Sequence, residues 1–323
     1  MKRITLTNKR GMAVDILSLG ARVASIRFPV AGKPMEMTLG YQDDSQYADD
    51  SFYLGATCGR VCNRISNAQF SLDGRAYQLV KNDNDNCLHG GVNNFSHRTW
   101  QVEEASLTQQ NVRLTLCSAD GDQGFPGDVK VSVNYRLTED NQLRIEFFAN
   151  TNAATPVNLT NHTYFNLGEP DARALKLQIN ANNYLELDDA NVPTGKILSV
   201  ADTDFDFNHQ APVGRREKVS EDSAITSRLG FDHCFVLNNN DMTQPNAVLT
   251  SLKNKLKMTL FTDQKAIQLY TGAYLSKPFL PYQGLCLEAQ NFTNAINIGH
   301  FPSCVLRENQ QYRQRITLAF ART

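Results

Sequence analysis

Apolar and polar residues alternate along much of the 323-residue chain, and this pattern constrains the fold most strongly. In VKVSVNYRL (129–137) every second residue is apolar, so these side chains share one face of an extended strand. Four further segments repeat the pattern: NVRLTLC (111–117), QLRIEFF (142–148), KLKMTLF (255–261) and RITLAF (315–320). Helical spacing is confined to two candidate short helices, at residues 44–52 and 292–299. The sequence therefore predicts an all-β protein, a large antiparallel β-sandwich with few short helices.

The chain offers no obvious boundary between domains. No Gly-, Ser- or Pro-rich linker divides it, and no sequence repeat recurs at a fixed period. A hydrophobic fraction of 41% is enough for a large core at this length. We therefore predict a single domain that spans residues 1–323.

Charge balance and the shortness of apolar segments argue against several classes of partner. With 32 Lys and Arg against 33 Asp and Glu, the net charge is −1, whereas nucleic-acid binding needs a basic face. No stretch reaches the roughly 18 apolar residues of a membrane helix, and the N-terminal MKRITLTNKRGMAV has no apolar signal core. We expect a cytoplasmic protein without nucleic-acid or membrane partners, and either a monomer or a weak homodimer.

The seven cysteines are scattered along the chain and form no C-x-x-C pair. This distribution is typical of buried free thiols in a reducing compartment and differs from that of a disulfide framework. No cluster of His, Cys or carboxylate residues has the spacing of a metal site. We therefore predict no bound metal.

The densest polar stretch of the sequence is VNLTNHTYFNLG (157–168), which follows a predicted strand. Strand alternation directs Asn158, Thr160, His162 and Tyr164 to one face. Burial of such a face is unfavourable unless its polar groups bond to protein, to water or to a ligand rich in hydroxyls. A polar network that braces a loop is the alternative, and this stretch alone leaves both interpretations open.

Two earlier segments contain further candidate ligand-binding groups. CGRVCNRI (58–65) offers the amide of Asn63 and the guanidinium of Arg64 as donors to ligand oxygens. NCLHGG (86–91) places His89 before two glycines, which permit a sharp turn or a close approach to a ligand. Both segments also have a structural interpretation, since a lone Arg is commonly ion-paired and a lone His commonly braces the fold.

The C-terminal third contains carboxyl and amide groups in apolar surroundings. In GLCLEAQNF (284–292), Glu288 lies among apolar residues, so it must be paired, neutral or functional. Asp232 in FDHCFVL is likewise a carboxylate among apolar residues, so it too must be paired, neutral or functional. Gln268 in IQLYTG is two residues from Tyr270, so both side chains lie on the same face of the predicted strand. Taken together, the candidate groups suit a neutral polyol or sugar. A nucleotide fits less well, because no Gly-rich phosphate loop of either standard spacing is present.

Eight motifs, taken in their order along the chain, resemble those of the aldose 1-epimerase (galactose mutarotase) family. They are GRVCNRI (59–65), NCLHGG (86–91), the segment from Phe95 to Trp100, DGDQGFPG (120–127), VNLTNHTYFNLG (157–168), FDHCFVL (231–237), IQLYTG (267–272) and LEAQ (287–290). The resemblance implies the large antiparallel β-sandwich of that family. Two segments differ from the usual family pattern, namely ADTDFDF (201–207) and Thr293-Asn294-Ala295.

The resemblance also implies a reaction and a set of site residues. It makes His162 the general acid and Glu288 the general base of a mutarotase that interconverts the anomers of free hexoses such as galactose and glucose. The reaction needs no cofactor. We expect a nearby carboxylate to help keep His162 protonated, and partial burial to make Glu288 more basic. The positions that match sugar-binding residues are Asn63, Arg64, His89, Thr163, Tyr164, Asp232 and Gln268.

Three other functions remain open at this point. A hexose-6-phosphate 1-epimerase would need extra cations for the phosphate, for which Arg60, Arg98 and Arg215-Arg216 are candidates. A non-catalytic carbohydrate-binding or sugar-sensing protein would not need both the proposed acid and the proposed base. A glycosidase usually employs two carboxyl groups, whereas a histidine occupies the acid position in this chain.

Overall fold

The computed structural model describes residues 1–214 and 230–323, in which short strands predominate. The first strands are β1 (Arg3–Thr7), β2 (Ala13–Leu17), β3 (Arg22–Val30), β4 (Lys33–Glu36), β5 (Thr57–Cys58), β6 (Arg64–Ile65), β7 (Gln69–Leu72), β8 (Arg75–Gln78), β9 (Cys87–Leu88) and β10 (Gln101–Val102). The central strands are β11 (Asn111–Ser118), β12 (Val129–Leu137), β13 (Gln142–Thr151), β14 (Thr155–Pro156), β15 (Thr160–Asn161), β16 (Tyr164–Phe165), β17 (Lys176–Ile179), β18 (Asn183–Leu187), β19 (Pro193–Ser199) and β20 (Ala211–Pro212). The last strands are β21 (Asp232–Val236), β22 (Ala247–Ser251), β23 (Leu256–Thr262), β24 (Ala266–Tyr270), β25 (Leu285–Gln290), β26 (Val305–Leu306) and β27 (Tyr312–Arg322).

Short 3-10 helices connect many of these strands. They span Asp44–Asp49, Ser66–Ala68, Phe95–His97, Glu104–Ser106, Asp122–Gly124, Ala172–Ala174 and Ala295–Asn297. The first begins after Asp43, whose carboxylate accepts a hydrogen bond from the main-chain N–H of Ser45. The two predicted short helices are thus present as 3-10 turns, each shorter than the segment that predicted it.

Two large antiparallel sheets organise the described part of the chain. One has nine strands in the order β10-β11-β12-β13-β27-β23-β22-β17-β20, and the other has six in the order β16-β25-β24-β21-β18-β19. The five alternating segments of the sequence correspond to β11, β12, β13, β27 and β23, which are five consecutive strands of the nine-stranded sheet. An all-β antiparallel fold is therefore confirmed.

The apolar faces of the two sheets meet in one continuous core. Along β12, alternate residues from Val129 to Leu137 are buried, as the sequence predicts for a strand with one solvated face. Val131 and Val133 of the nine-stranded sheet share a buried cluster with Leu269 and Leu285 of the six-stranded sheet. Two sheets that bury their facing side chains in this way form a β-sandwich.

The six-stranded sheet positions the polar residues that the sequence singles out. Glu288 on β25 lies directly opposite Gln268 on β24, and Asp232 on β21 lies opposite Tyr270 on the other side of β24. Adjacent positions across an antiparallel pair place side chains on the same face and close together. His162 enters this group from the short connection between β15 and β16, of which β16 pairs with β25.

The predicted polar face of residues 157–168 is only half correct. His162 and Tyr164 face a common cavity, whereas the side chains of Asn158 and Thr160 bond to main-chain groups of Asn291 and Ala289. The reason is that two separate two-residue strands replace the single strand on which the alternation was counted. Both interpretations of the stretch therefore apply, since one half faces the cavity and the other half braces the fold.

All seven cysteines are free, and six of them are buried, as the sequence predicts for free thiols in the core. Within the described residues, no helix has both the length and the apolar character needed to cross a membrane.

Candidate active site

A cavity of about 240 Å³ lies against the face of the six-stranded sheet that carries Glu288 and Asp232. Seven of the nine site residues predicted from the sequence lie on its wall. The wall consists of Ser51, Phe52, Tyr53, Asn63, Arg64, Leu88, His89, His162, Tyr164, Asp232, Tyr270, Tyr274 and Glu288. Residues from seven separate parts of the chain thus form one polar and aromatic site.

His162 and Glu288 form a close pair at the buried end of this wall. Nε2 of His162 lies 3.6 Å from Oε1 of Glu288, and the two residues are 5% and 2% exposed. The second carboxyl oxygen, Oε2, is buried and has no hydrogen-bond partner among the described residues. A buried acid and base at this separation can serve two oxygens that are bonded to one carbon of a ligand.

Burial controls the protonation of the pair. Loss of solvation lowers the pKa of His162 to about 4, even though the charges of Asp50 and Asp232 act in the opposite direction. Loss of solvation, reinforced by the charge of Asp232, raises the pKa of Glu288 well above its usual value. The nearby carboxylates thus favour the protonated form of His162, as expected, but burial outweighs their attraction. The expectation of a more basic Glu288 agrees with its raised pKa.

His89 is oriented as a hydrogen-bond donor toward the cavity. Its Nδ1 accepts a hydrogen bond of 3.2 Å from the main-chain N–H of Asn63, and its own main-chain N–H donates to the Asn63 carbonyl. Burial lowers the pKa of His89 well below its usual value, so the ring is neutral and carries its proton on Nε2. The loop takes this form because the following Gly90 lies against the main chain of Gly59, where a Cβ atom would come within 2.3 Å of the carbonyl oxygen.

A network of charges lines the other side of the cavity. Nε of Arg64 donates to Asp83 at 2.7 Å, while Nη1 of Arg64 lies 3.6 Å from Oδ2 of Asp232. The other oxygen of Asp232 accepts a hydrogen bond of 2.6 Å from the amide of Gln268. These fixed donors and acceptors suit ligand hydroxyl groups, which both donate and accept hydrogen bonds.

Two of the predicted site residues lie outside the cavity wall. Gln268 acts through Asp232, as described above. Thr163 donates its hydroxyl to the side chain of Asn161 at 2.6 Å, so its hydrogen bond stabilises the loop that carries His162. The amide oxygen of Asn63 similarly accepts the main-chain N–H of Arg64, which leaves its NH₂ group to face other partners.

Sequence reasoning found Tyr164 but missed most of the other aromatic residues of the wall. Tyr53 contacts the rings of both His89 and His162, with centroid separations of 4.5 and 5.9 Å. Tyr53 has a φ of 57°, and its neighbours on the wall, Asn63 and His89, also have left-handed backbones. Bulky residues rarely adopt this conformation, and its concentration here is typical of a functional site. Apart from the motif that contains Tyr164, one signal in the sequence indicated an aromatic wall residue, which was the position of Tyr270 on the same strand face as Gln268.

The candidate phosphate-binding cations bond elsewhere. The buried guanidinium of Arg60 donates to the main-chain carbonyls of Pro126 and Gly127, and Arg98 pairs with Asp122. Neither lies on the cavity wall. Arg215-Arg216 lies outside the described residues. Across residues 1–214 and 230–323, no group of three or more His, Cys, Asp or Glu side chains is arranged to hold a metal ion.

Comparison with known proteins decides the family. The sequence profile of the aldose 1-epimerase family matches residues 2–319. The chain belongs to the aldose 1-epimerase family. An aldose 1-epimerase from Escherichia coli (strain K12) is 36% identical over 322 residues, which cover 96% of this chain and 92% of the relative. A galactose mutarotase from Sus scrofa is 33% identical over 322 residues, which cover 96% of this chain and 91% of the relative.

A solved structure of an aldose 1-epimerase family member agrees with the fold. The structure of a GalM/aldose epimerase homologue from C. elegans superposes with a TM-score of 0.94 at 31% identity, and covers 100% of this chain and 99% of its own. Both the fold and the enzyme class implied by the resemblance are thereby confirmed. The chain is an isomerase of the aldose 1-epimerase class, a mutarotase.

Proposed function

We propose that this mutarotase interconverts the α and β anomers of free aldohexoses such as galactose and glucose, with Glu288 as base and His162 as acid. The observation that carries the proposal is the buried pair, in which Nε2 of His162 lies 3.6 Å from Oε1 of Glu288 on the wall of a cavity. The anomeric hydroxyl and the ring oxygen of an aldose are bonded to the same carbon. An acid and a base that act on both must therefore lie close together, as these two groups do.

The proposed reaction consists of two balanced proton transfers. Glu288 takes the proton of the C1 hydroxyl while the bond between C1 and the ring oxygen breaks, and His162 gives its Nε2 proton to that oxygen. The C1–C2 bond of the open-chain aldehyde then rotates, and the ring closes on the other face with the two roles reversed. The reaction needs no cofactor, metal or covalent intermediate.

The raised pKa of Glu288 and the lowered pKa of His162 support this cycle. Between those two pKa values the pair holds one proton, either on Glu288 or on His162. A proton on His162 suits the cyclic sugar, and a proton on Glu288 suits the open-chain aldehyde. Both forms of the pair therefore occur on the reaction path at the same net charge.

The polar groups away from the acid–base pair are proposed to bind the other hydroxyls. Arg64 and Asp232 supply charge-assisted hydrogen bonds, and Nε2–H of His89 donates near the ring oxygen. Asn63, Tyr164 and, through Asp232, Gln268 complete the sugar-binding set, while Thr163 supports the loop of His162.

Polarimetry of freshly dissolved α-galactose and α-glucose tests the proposed reaction. The protein is expected to accelerate the approach to anomeric equilibrium well beyond the spontaneous rate. A non-catalytic sugar-binding protein would leave that rate unchanged, and a glycosidase would instead release product from a disaccharide. The same assay with hexose 6-phosphates is expected to give a much lower kcat/KM, because neither Arg60 nor Arg98 faces the cavity.

The acid limb of the pH–rate profile should report the burial of His162. Its pKa is lowered to about 4, so above that pH the pair holds one proton and both roles can be filled. Below it, both groups are protonated and no base remains, so kcat/KM is expected to fall about tenfold per pH unit. The alkaline limb should lie well above the usual pKa of a glutamate, since burial raises the pKa of Glu288.

The measurement is kcat/KM from pH 3.5 to 9, corrected for the spontaneous rate, with circular dichroism at each pH to confirm that the protein is folded. An acid limb near the ordinary histidine pKa of about 6.5 would contradict the account.

Replacement of Arg64 with Ala is expected to raise KM for galactose at least about tenfold and to lower kcat as well. The guanidinium bridges Asp83 and Asp232, so its loss removes a donor to the sugar and also leaves two carboxylates without their cation. Arg307→Ala is the matched control, because Arg307 pairs with Asp73 on the surface. An unchanged dependence of rate on sugar concentration in Arg64→Ala would remove Arg64 from the sugar contacts.

We further propose, from the sequence, that the protein works as a single domain in the cytoplasm, as a monomer or a weak homodimer and without a nucleic-acid partner. The seven free cysteines support a reducing compartment. Sedimentation of the purified protein at several concentrations tests the oligomeric state.

A further inference from the structure

We propose that Cys286 and Tyr164 hold neutral His162 in the tautomer that carries its proton on Nδ1, so that Nε2 alone exchanges the proton of the sugar's ring oxygen. This inference rests on the proposed function and deepens it. It makes Cys286 and Tyr164 positioning residues, which act through the imidazole. The basis is a chain of neighbouring groups that runs from the imidazole through the thiol and the phenol to the main-chain carbonyl of Phe52.

The far end of this chain fixes its direction. The hydroxyl of Tyr164 lies 3.0 Å from the main-chain carbonyl oxygen of Phe52, and a carbonyl oxygen accepts hydrogen bonds but cannot donate them. The single hydroxyl proton of Tyr164 is therefore committed to Phe52. Toward any other neighbour, the oxygen of Tyr164 acts as an acceptor.

The thiol of Cys286 is the next member of the chain. Cys286 on β25 lies directly opposite Tyr164 on β16, which places the thiol beside the phenol. Because the oxygen of Tyr164 can act only as an acceptor here, the proposal directs the S–H group of Cys286 to it. The sulfur then has its proton committed and offers a weak acceptor to its remaining neighbour.

That remaining neighbour is Nδ1 of His162, which lies 3.5 Å from Sγ of Cys286. An acceptor sulfur requires a donor nitrogen, so Nδ1 carries the proton.

This tautomer is the one that the proposed proton cycle leaves behind. An imidazolium that gives its Nε2 proton to the ring oxygen becomes neutral with its remaining proton on Nδ1. Nε2 then has a free lone pair, which takes the proton back when the ring closes. The opposite tautomer would face the sugar with a proton already on Nε2 and could not accept another one.

The groups around His162 explain why a thiol suits this position. Glu288, His89, Tyr53 and Tyr164 surround the ring, and Asp50 and Asp232 act on it at longer range. Burial raises the pKa of the Cys286 thiol well above its usual value, so the thiol is uncharged. An uncharged, weak acceptor at Nδ1 stabilises an imidazolium far less than a carboxylate would. His162 can therefore remain a strong acid toward the ring oxygen.

Nitrogen NMR of the sugar-free protein reads the tautomer directly. The chain has six histidines, so ¹⁵N-histidine labelling gives a small set of signals, and that of His162 is assigned by its loss in His162→Gln. Neutral His162 is expected to carry its proton on Nδ1.

Two substitutions are expected to shift this tautomer. Cys286→Ala removes the acceptor, and Tyr164→Phe frees the S–H group to donate to Nδ1. Each is expected to lower the ratio of the Nδ1–H to the Nε2–H form by about two- to tenfold, the effect of one hydrogen bond.

Conservative and control variants separate this role from a purely structural one. Cys286→Ser keeps one donor and one acceptor, so it is expected to retain the Nδ1–H form, whereas Cys286→Ala should lose about two- to tenfold in kcat. The acid limb of Cys286→Ala should also move to lower pH, because the imidazolium loses its acceptor. Cys234→Ala, which truncates another buried cysteine of the same sheet, should match the wild type in both measurements.

A wild-type His162 with its proton on Nε2 would overturn the inference. So would Cys286→Ala with an unchanged tautomer ratio and an unchanged kcat. A wild-type protein that does not accelerate mutarotation would instead overturn the proposed function, while the NMR measurement would still decide the tautomer.

Discussion

Replacement of Glu288 with Gln is expected to lower kcat for galactose by about 10²- to 10⁴-fold, which is the usual contribution of one acid–base group. The amide has nearly the same shape as the carboxyl group but cannot take the proton of the C1 hydroxyl. KM should change little, because the groups that bind the other hydroxyls are retained. Polarimetry gives both constants. A variant with near wild-type kcat would remove Glu288 from the chemistry.

The stability of the same variant provides an independent check. Burial raises the pKa of Glu288, so above the usual glutamate pKa the folded protein holds a proton that the unfolded chain has released. The free energy of unfolding of the wild type therefore falls as the pH rises above that value. Glu288→Gln has no titrating group at this position, so its free energy of unfolding lacks this decrease. The Tm of the variant relative to the wild type should rise between pH 5 and pH 8.

Glu169→Gln is the matched control for Glu288→Gln. Glu169 is also a buried carboxyl group, but it accepts a hydrogen bond of 2.6 Å from Ser251 and lies outside the cavity wall. The kcat of Glu169→Gln should equal that of the wild type. A similar loss of kcat in both variants would indicate a general effect of altering a buried carboxyl group.

Replacement of His162 with Ala is expected to lower kcat by at least about two orders of magnitude, with the fold retained. The ring oxygen loses its proton donor, and Glu288 remains as a base without a partner. Combining His162→Ala with Glu288→Gln should cost little more than either change alone, because the two groups act as a unit. His300→Ala is the control, since His300 is exposed and bonds to the carbonyl of Gly195. Independent, multiplicative losses in the double variant would contradict paired action.

The large strands were predictable from the sequence because one face of each is buried. Alternation in β12 and β13 reflects the physical requirement that apolar side chains point into the core. The strands nearest the site were not predictable in this way. β15 and β16 have two residues each, too few for a periodic signal, and the chain bends between them at His162. For that reason the predicted common face of Asn158 and Thr160 with His162 was wrong.

Most proposed site residues could be found from motifs, but their environment could not. Tyr53 belongs to no motif that the sequence singled out, and its left-handed backbone is imposed by packing between distant segments. The protonation of His162 likewise depends on how completely the fold removes water from it. A sequence shows which charges are available, whereas desolvation depends on the assembled cavity.

Family membership limits the alternatives to the proposed reaction. The described candidate cations for a phosphate, Arg60 and Arg98, satisfy main-chain carbonyls and an aspartate, respectively, away from the cavity. The wall offers neutral and charge-paired groups in their place, which are suited to hydroxyls. These contacts favour a free aldose as the substrate.

A crystal structure of Glu288→Gln with bound galactose tests the central claim most directly. We predict that the side chain at position 288 lies within about 2.6–3.2 Å of the anomeric hydroxyl, and that Nε2 of His162 lies within the same distance of the ring oxygen. A sugar bound in this cavity with its anomeric carbon next to Asp232 and away from both groups would contradict the account. A sugar bound only in a different cavity would contradict it as well.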